Sequence, residues 1–311
     1  MQWTSLHVFY HDQEKWDELL VYIFRVVKEK FDNPEIPFFF IRYWEGGPHL
    51  RFRFLNMSTK DNQIFKSEVN HFFRKHPSQY DLDKEKFYYV YQKELNLQTS
   101  NLPWYPNQSI QNIPYKREVN RYNGSKVMEL SEKQFELSSK YILNCMTNFN
   151  IGKFELAFQS ICMMIKSMGF TLQKEIDFLR SYSLGTLRTY KETDTMKYID
   201  KFESLLVKHE SAVRKILEVY WVDEKHLKDP FYSQYVLLRK EIENHINQNQ
   251  FKFNQLKIPS IEQWTNFQKG IGQTYWSWIH MHCNRIGVTP LIEAQISFLI
   301  SRGLKQMEDI L

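Results

Sequence analysis

Three stretches of this chain carry side chains whose types and spacing could do chemistry. The first is Phe40-Ile41-Arg42-Tyr43-Trp44-Glu45-Gly46-Gly47-Pro48-His49-Leu50-Arg51-Phe52-Arg53-Phe54. Strand alternation sends Arg51 and Arg53 to one face and Leu50, Phe52 and Phe54 to the other, so two guanidinium groups stand side by side on a rigid element. Such a pair suits a carboxylate or a phosphate, and a solvated strand face is the plainer account of it. The second is Tyr115-Lys116-Arg117-Glu118-Val119-Asn120-Arg121-Tyr122-Asn123-Gly124. On a helix Glu118 and Arg121 are neighbours at i and i+3, either as an ordinary surface pair or with Arg121 as a third cation oriented by Glu118. The third is Trp276-Ser277-Trp278-Ile279-His280-Met281-His282-Cys283-Asn284-Arg285. Helical spacing puts His280 and Asn284 on one face and turns His282 well round the axis, so the two histidines do not act as a pair. Imidazole is the side chain best suited to proton transfer near neutrality, although a histidine among aromatics is as readily a core residue.

Other chemistries find no support. The His-x-His lacks a nearby carboxylate and the i,i+4 spacing a helical metal site needs, so no metal is expected. There is no P-loop, no Gly-x-Gly-x-x-Gly after a strand and no Gly-x-Ser-x-Gly elbow, which removes the common nucleotide and hydrolase templates. Cys145, Cys162 and Cys283 are far apart, so buried free thiols are expected rather than a disulfide framework. A net charge of +5 over 311 residues, with both signs interleaved, fits an anionic substrate and does not point to direct nucleic-acid binding. With 42% hydrophobic and 16% aromatic residues the chain can bury a core. No apolar run reaches the roughly 18 residues of a membrane span and the start lacks a secretory pattern, so a cytoplasmic protein is expected.

The elements that must position these residues read as α+β. Trp3 to Tyr10 reads as a strand, and Asp12 could cap the helix that follows to about Phe31, with Leu19, Leu20, Ile23, Phe24 and Val27 at helical spacing. Phe38 to Tyr43 and His49 to Leu55 form a hairpin across Gly46-Gly47-Pro48. A helix over 60–75 and a tyrosine-rich strand over 86–93 complete a β-α-β-β-α-β order, the ferredoxin-like antiparallel arrangement. Asn96 to Pro114 reads as a long loop able to cover a site. Beyond Gly124 the periodicity is helical, with breaks near Asn150-Ile151-Gly152, Ser183 to Thr186, Lys228-Asp229-Pro230 and Pro259. Ser260 with Gln263 has a capping-box pattern before the helix of His280, and Thr289-Pro290 starts the last helix. The expected division is an α+β portion over 1–124 carrying the arginine pair and a mainly helical portion over 125–311 carrying His280, working as one catalytic unit.

Taken in order, the hairpin motif, the Glu-x-x-Arg-Tyr of Glu118 to Tyr122 and the His-Met-His-Cys-Asn-Arg of His280 to Arg285 resemble the lantibiotic dehydratase C-terminal domain. That family occurs fused in full-length dehydratases and alone in thiopeptide-type bacteriocin biosynthesis. The resemblance runs from Trp3 to the C-terminus, resting on helical character alone over about 150–255. It implies a lyase that expels glutamate from glutamylated Ser or Thr of a ribosomally made precursor peptide, leaving dehydroamino acids. Carried over residue by residue, it gives His280, Glu118 and Arg121 catalytic roles and makes Arg51, Arg53, Arg121 and Asn284 substrate-binding, with no cofactor and no metal. It implies as partners a precursor peptide with its leader and a separate tRNA-dependent glutamylation protein, and leaves a homodimer open. The same superfamily offers an alternative, a cycloaddition enzyme that joins two dehydroalanines into a pyridine ring and releases the leader. A non-catalytic peptide-binding partner is a further alternative. Departures from the family pattern are Arg117 where Pro usually precedes the glutamate, Asn123-Gly124 where Gly-Gly usually follows Arg-Tyr, and Ser138-Ser139 where Asp-Ser is usual.

Overall fold

A computed structural model describes residues 2–80, 82–95, 101–188, 195–254, 256 and 263–310. The chain divides into two compact units, one of 1–116 with 138–150 and one of 117–137 with 151–311.

The first unit is built on a four-stranded antiparallel sheet. Its strands are β1 (Trp3–Phe9), β2 (Phe38–Tyr43), β3 (His49–Leu55) and β4 (Ser109–Asn112), ordered β2-β3-β1-β4. With α1 (Trp16–Lys30) between β1 and β2, and α2 (Thr59–Lys75) after β3, this is the ferredoxin-like topology. One sheet face is apolar because alternate residues Leu6, Val8, Phe38, Phe40, Leu50, Phe52 and Phe54 are all buried. Helix α1 adds Leu19, Leu20, Ile23, Phe24 and Val27 to the core, and α2 adds Phe65, whose ring meets Phe52 and Phe54 edge-on at 5.2 and 5.4 Å. Burying each such ring stabilises the unit by about 2–3 kcal/mol before entropy is counted. Ser58 caps α2 by accepting the Asp61 N–H. Asp12, expected to cap α1, makes no such bond; it precedes one 3-10 turn, and α1 starts at Trp16.

Two expectations are corrected here. The tyrosine-rich segment is not a strand but helix α3 (Lys84–Leu95). Asp83 caps its start by accepting the Lys86 N–H at 2.8 Å, and the aromatic run buries Tyr88 while leaving Tyr89 and Val90 exposed, one face in contact rather than two. The fourth strand instead lies inside the supposed long loop, as the mostly polar Ser109–Asn112 along the free side of β1. Of that loop 96–100 lie outside the described residues. Trp104 and Tyr105 pack on the β2–β3 turn, where the Tyr105 N–H donates to the Gly46 carbonyl at 2.9 Å. Gly46 and Gly47 both hold positive φ there, +95° and +103°, which side chains rarely adopt.

The second unit is helical. Helix α4 (Ser125–Asn148) gives it its first half, through Leu137, followed by α5 (Lys153–Ser167), α6 (Leu172–Leu187), α7 (Thr195–Trp221), α8 (Pro230–Asn247), α9 (Asn266–Ile286) and α10 (Pro290–Gln306). In the first unit the later part of α4 protects the outer edge of β2, where Ser139 Oγ accepts the Phe40 N–H at 3.2 Å. The breaks at 150–152 and at Asp229-Pro230 occur, and Asp229 caps α8 with Pro230 at its first position. Ser183 to Thr186 is no break, however, but the last turns of α6. These small residues are a packing face: Ser183 Oγ donates to the Ala294 carbonyl of α10 at 2.8 Å, and Gly185 lies under the Trp276 ring of α9. Pro259 and Ser260 lie outside the described residues. The capping box of α9 is Thr265 with Gln268, so Trp264 precedes the helix. Thr289 and Pro290 start α10 as expected. Cys145, Cys162 and Cys283 are buried free thiols.

Candidate functional site

The sequence candidates fall into two groups, each inside its own unit. In the first unit, pairing of β1 with β3 sets His7 opposite Arg51, Ser5 opposite Arg53 and Phe9 opposite His49. Arg51 and Arg53 therefore share a face, as alternation requires, and two imidazoles join them. The His7 and His49 rings stack at 5.0 Å, and the Arg51 Nε donates to His49 Nε2 at 3.0 Å. The guanidinium of Arg51 lies 3.4 Å over the Tyr43 ring, and that of Arg53, only 7% exposed, lies 4.2 Å over Tyr115. Burial, reinforced by the two arginines, drives His7 down to about 2 and His49 down to about 3. Both rings are neutral at physiological pH, leaving a packed face whose charge is cationic.

In the second unit the Glu118–Tyr122 segment is a single helical turn, closed by the Tyr122 N–H on the Glu118 carbonyl at 3.1 Å. Asn123 and Gly124 end it with φ of +60° and +102°, so the departure from Gly-Gly preserves the backbone. Asn123 is fully buried; its Nδ2 donates to Gln273 Oε1 of α9 at 3.0 Å, and its carbonyl accepts the Lys252 N–H at 2.8 Å. This ties the turn to the helix that carries His280. Glu118 and Arg121 pair at 3.1 Å, but Glu118 is 59% exposed, and an ion pair in that setting contributes at most about 1 kcal/mol.

Arg121 also borders a cavity of about 200 Å³ with Tyr182, Gly185 and Thr186 of α6, Trp276, Ser277 and His280 of α9, and Pro290 and Glu293 of α10. Glu293 is 1% exposed and organises the site. Its Oε2 and Oε1 lie 3.2 and 3.3 Å from His280 Nδ1, and its Oε1 accepts a hydrogen bond from the Tyr182 hydroxyl. A buried carboxylate is tolerated because these partners replace its lost water. The nearby Glu293 charge raises His280 above the usual histidine value, outweighing burial and the opposing Arg121 charge. Tyr182 is pushed well above the usual phenol value, first by burial and then by Glu293. With Nδ1 engaged, the other ring nitrogen is left for the cavity, so the imidazole can pass a proton to a group lodged there.

Among the other candidates, Asn284 lies one turn beyond His280, half-buried. His282 points away, fully buried with Nε2 2.8 Å from Ser160 Oγ and driven by burial to about 3. Among the described residues no group of three or more His, Cys, Asp or Glu could hold a metal, and no helix is long and apolar enough to cross a membrane. Sequence reasoning missed Glu293, Tyr182, His7 and His49. A signal for Glu293 exists: it shares the stripe of Ser297, Ile300 and Leu304 on α10, a carboxylate on an otherwise buried face.

Comparison with solved structures gives relatives of the same fold. The pyridine synthase TbtD from thiomuracin biosynthesis superposes with a TM-score of 0.77 at 16% identity, covering 100% of both chains. TsrL gives 0.64 at 14% identity over 99% of this chain and 96% of its own. The tRNA-dependent lantibiotic dehydratase MibB from Microbispora sp. 107891 gives 0.54 at 15% identity, covering 99% of this chain but 28% of MibB. No curated protein sequence is significantly similar to this one. The model of the lantibiotic biosynthesis dehydratase C-terminal family matches residues 3–304, and the chain, whose three motifs already resembled it, belongs to that family.

Proposed function

We propose that this protein modifies a ribosomally made peptide by joining two dehydroalanines into a pyridine ring. The observation that carries this reading is the superposition on a pyridine synthase over 100% of both chains. It reverses the order expected from the motifs, which put glutamate elimination first.

Counting atoms defines what such an enzyme must do. A pyridine has five ring carbons and one nitrogen, and two dehydroalanines supply four carbons from their Cα and Cβ atoms. The nitrogen is therefore the amide nitrogen of one dehydroalanine, and the fifth carbon is the carbonyl carbon preceding it. Bond formation leaves an oxygen on that carbon and the leader's amide nitrogen on the other Cα. Aromatisation expels the oxygen as water and the leader as its amide, and each departure needs a proton delivered and one taken from ring carbon. In this reading His280, which lines the cavity beside polar and aromatic groups, delivers the proton. The substrate is a precursor peptide with its leader.

A second reading, glutamate elimination, is favoured by Arg51 and Arg53 sharing one face of β3, since paired guanidinium groups suit the two carboxylates of a glutamyl leaving group. In that case Arg121, Glu118 and His280 keep the catalytic roles the motifs imply, with Asn284 contributing to binding. A separate tRNA-dependent partner would then have to supply the glutamylated peptide. Mass spectrometry of two peptides incubated with the protein separates the readings. Loss of water and release of the leader as an amide from a bis-dehydroalanine peptide is the expected result. Loss of glutamate from a glutamyl-serine peptide, with the first unchanged, would replace it by elimination.

A further inference from the structure

We propose that Glu293 is a positioning residue that, held in place by Tyr182, anchors the His280 imidazole through Nδ1 so that it enters the reaction as a proton donor. This deepens the reading above and rests on it for the identity of the reaction. The geometry is a relay of three side chains from three helices: Tyr182 of α6, Glu293 of α10 and His280 of α9. Both border the cavity, but the carboxylate is only 1% exposed whereas the imidazole is 39% exposed, so the histidine is the more accessible of the two. The phenol is fully buried and donates to the carboxylate Oε1.

The charged and titratable groups around the imidazole decide the sign. Glu293 of α10 and Arg121 of the 118–122 turn act on the imidazole directly, while Tyr182 of α6 and Cys283 of α9 interact with Glu293. Tyr182 and Cys283 are held protonated and neutral, so the net field is one carboxylate in contact against one more exposed guanidinium. The contact charge wins, and it favours imidazolium. A group in that state can protonate the oxygen that leaves as water, or the departing amide nitrogen, and is regenerated by the proton released from ring carbon. No other reactant is needed.

The test combines NMR of histidine-labelled full-length protein with the pH dependence of turnover of a bis-dehydroalanine peptide, in the native protein, in Glu293→Gln and in Tyr182→Phe. His280 should titrate above 6.5 in the native protein, with turnover falling on the alkaline side at that same value. Both should move together to lower pH in Glu293→Gln, while Tyr182→Phe should shift them less. An unchanged His280 titration in a folded Glu293→Gln variant would overturn the proposal. So would a shifted titration with an unshifted rate profile. If the native protein turns over no peptide, the pyridine reading fails, but the NMR comparison still decides what Glu293 does to His280.

Discussion

At the scale of single residues, one imidazole separates proton transfer from packing. His280 donates through Nδ1 to the Glu293 carboxylate, and removing it outright would strand a buried carboxylate on one side. Glutamine at this position can still offer Glu293 an amide N–H but cannot titrate. His280→Gln is therefore expected to keep a near-native thermal midpoint while losing about 10²–10⁴-fold in turnover, the usual worth of a general acid. His280→Ala should lose both. Peptide turnover and thermal melts measured side by side check this, and a His280→Gln variant with full activity would remove the histidine from the mechanism. Glu118, equally prominent in the motif, sits in an exposed pair with Arg121, so truncating it should affect stability little.

At the scale of elements, the cavity exists because α6 presents small residues where α9 presents a large one. Gly185 is in ordinary helical backbone, where alanine would be preferred by up to about 1 kcal/mol. A Cβ there would stand 2.6 and 2.7 Å from two atoms of the rigid Trp276 indole, and overpacking of that kind costs about 1–3 kcal/mol. The clash outweighs the propensity gain. Gly185→Ala should lower the thermal midpoint and push the indole toward the cavity, raising KM for the peptide more than it lowers kcat. A higher midpoint with unchanged KM would mean that Trp276 yields without disturbing the wall. The helical continuity of Ser183 to Thr186 follows from the same packing, which is why these residues read as a break when taken without α9 and α10.

At the scale of the whole molecule, stability should respond to acid through buried imidazoles. His7, His49 and His282 are held at about 2, 3 and 3 in the folded chain. Below about 6.5 the unfolded chain takes up protons that the folded chain refuses, so each ring costs about 1.4 kcal/mol of stability per pH unit as pH falls. His280 has the opposite sign. Its value is raised, so its contribution is complete below 6.5 and is lost as pH rises through the folded value. His280 is flat below 6.5, and burial lowers His226 as well, so the expected result is a thermal midpoint that declines steadily from pH 6.5 toward 4. A flat midpoint over that window would show that the β1–β3 rings are protonated in the fold.

The sequence by itself determined the antiparallel α+β half, the hairpin, the shared face of Arg51 and Arg53, the helical second half and the start of α10. These follow from alternation, 3.6-residue periodicity and capping, which act within a few residues of one another. It also carried the family, because the three motifs lie in segments whose local geometry is strict. Tertiary structure alone decided that the tyrosine-rich segment is helix α3 and that the mostly polar Ser109–Asn112 forms β4, since both depend on what lies alongside. It alone brought Glu293 and Tyr182 to His280, from positions 13 and 111 residues apart in sequence from their partners. No local rule can place such a carboxylate, because its charge state and its partner are set by burial and by the crossing of three helices.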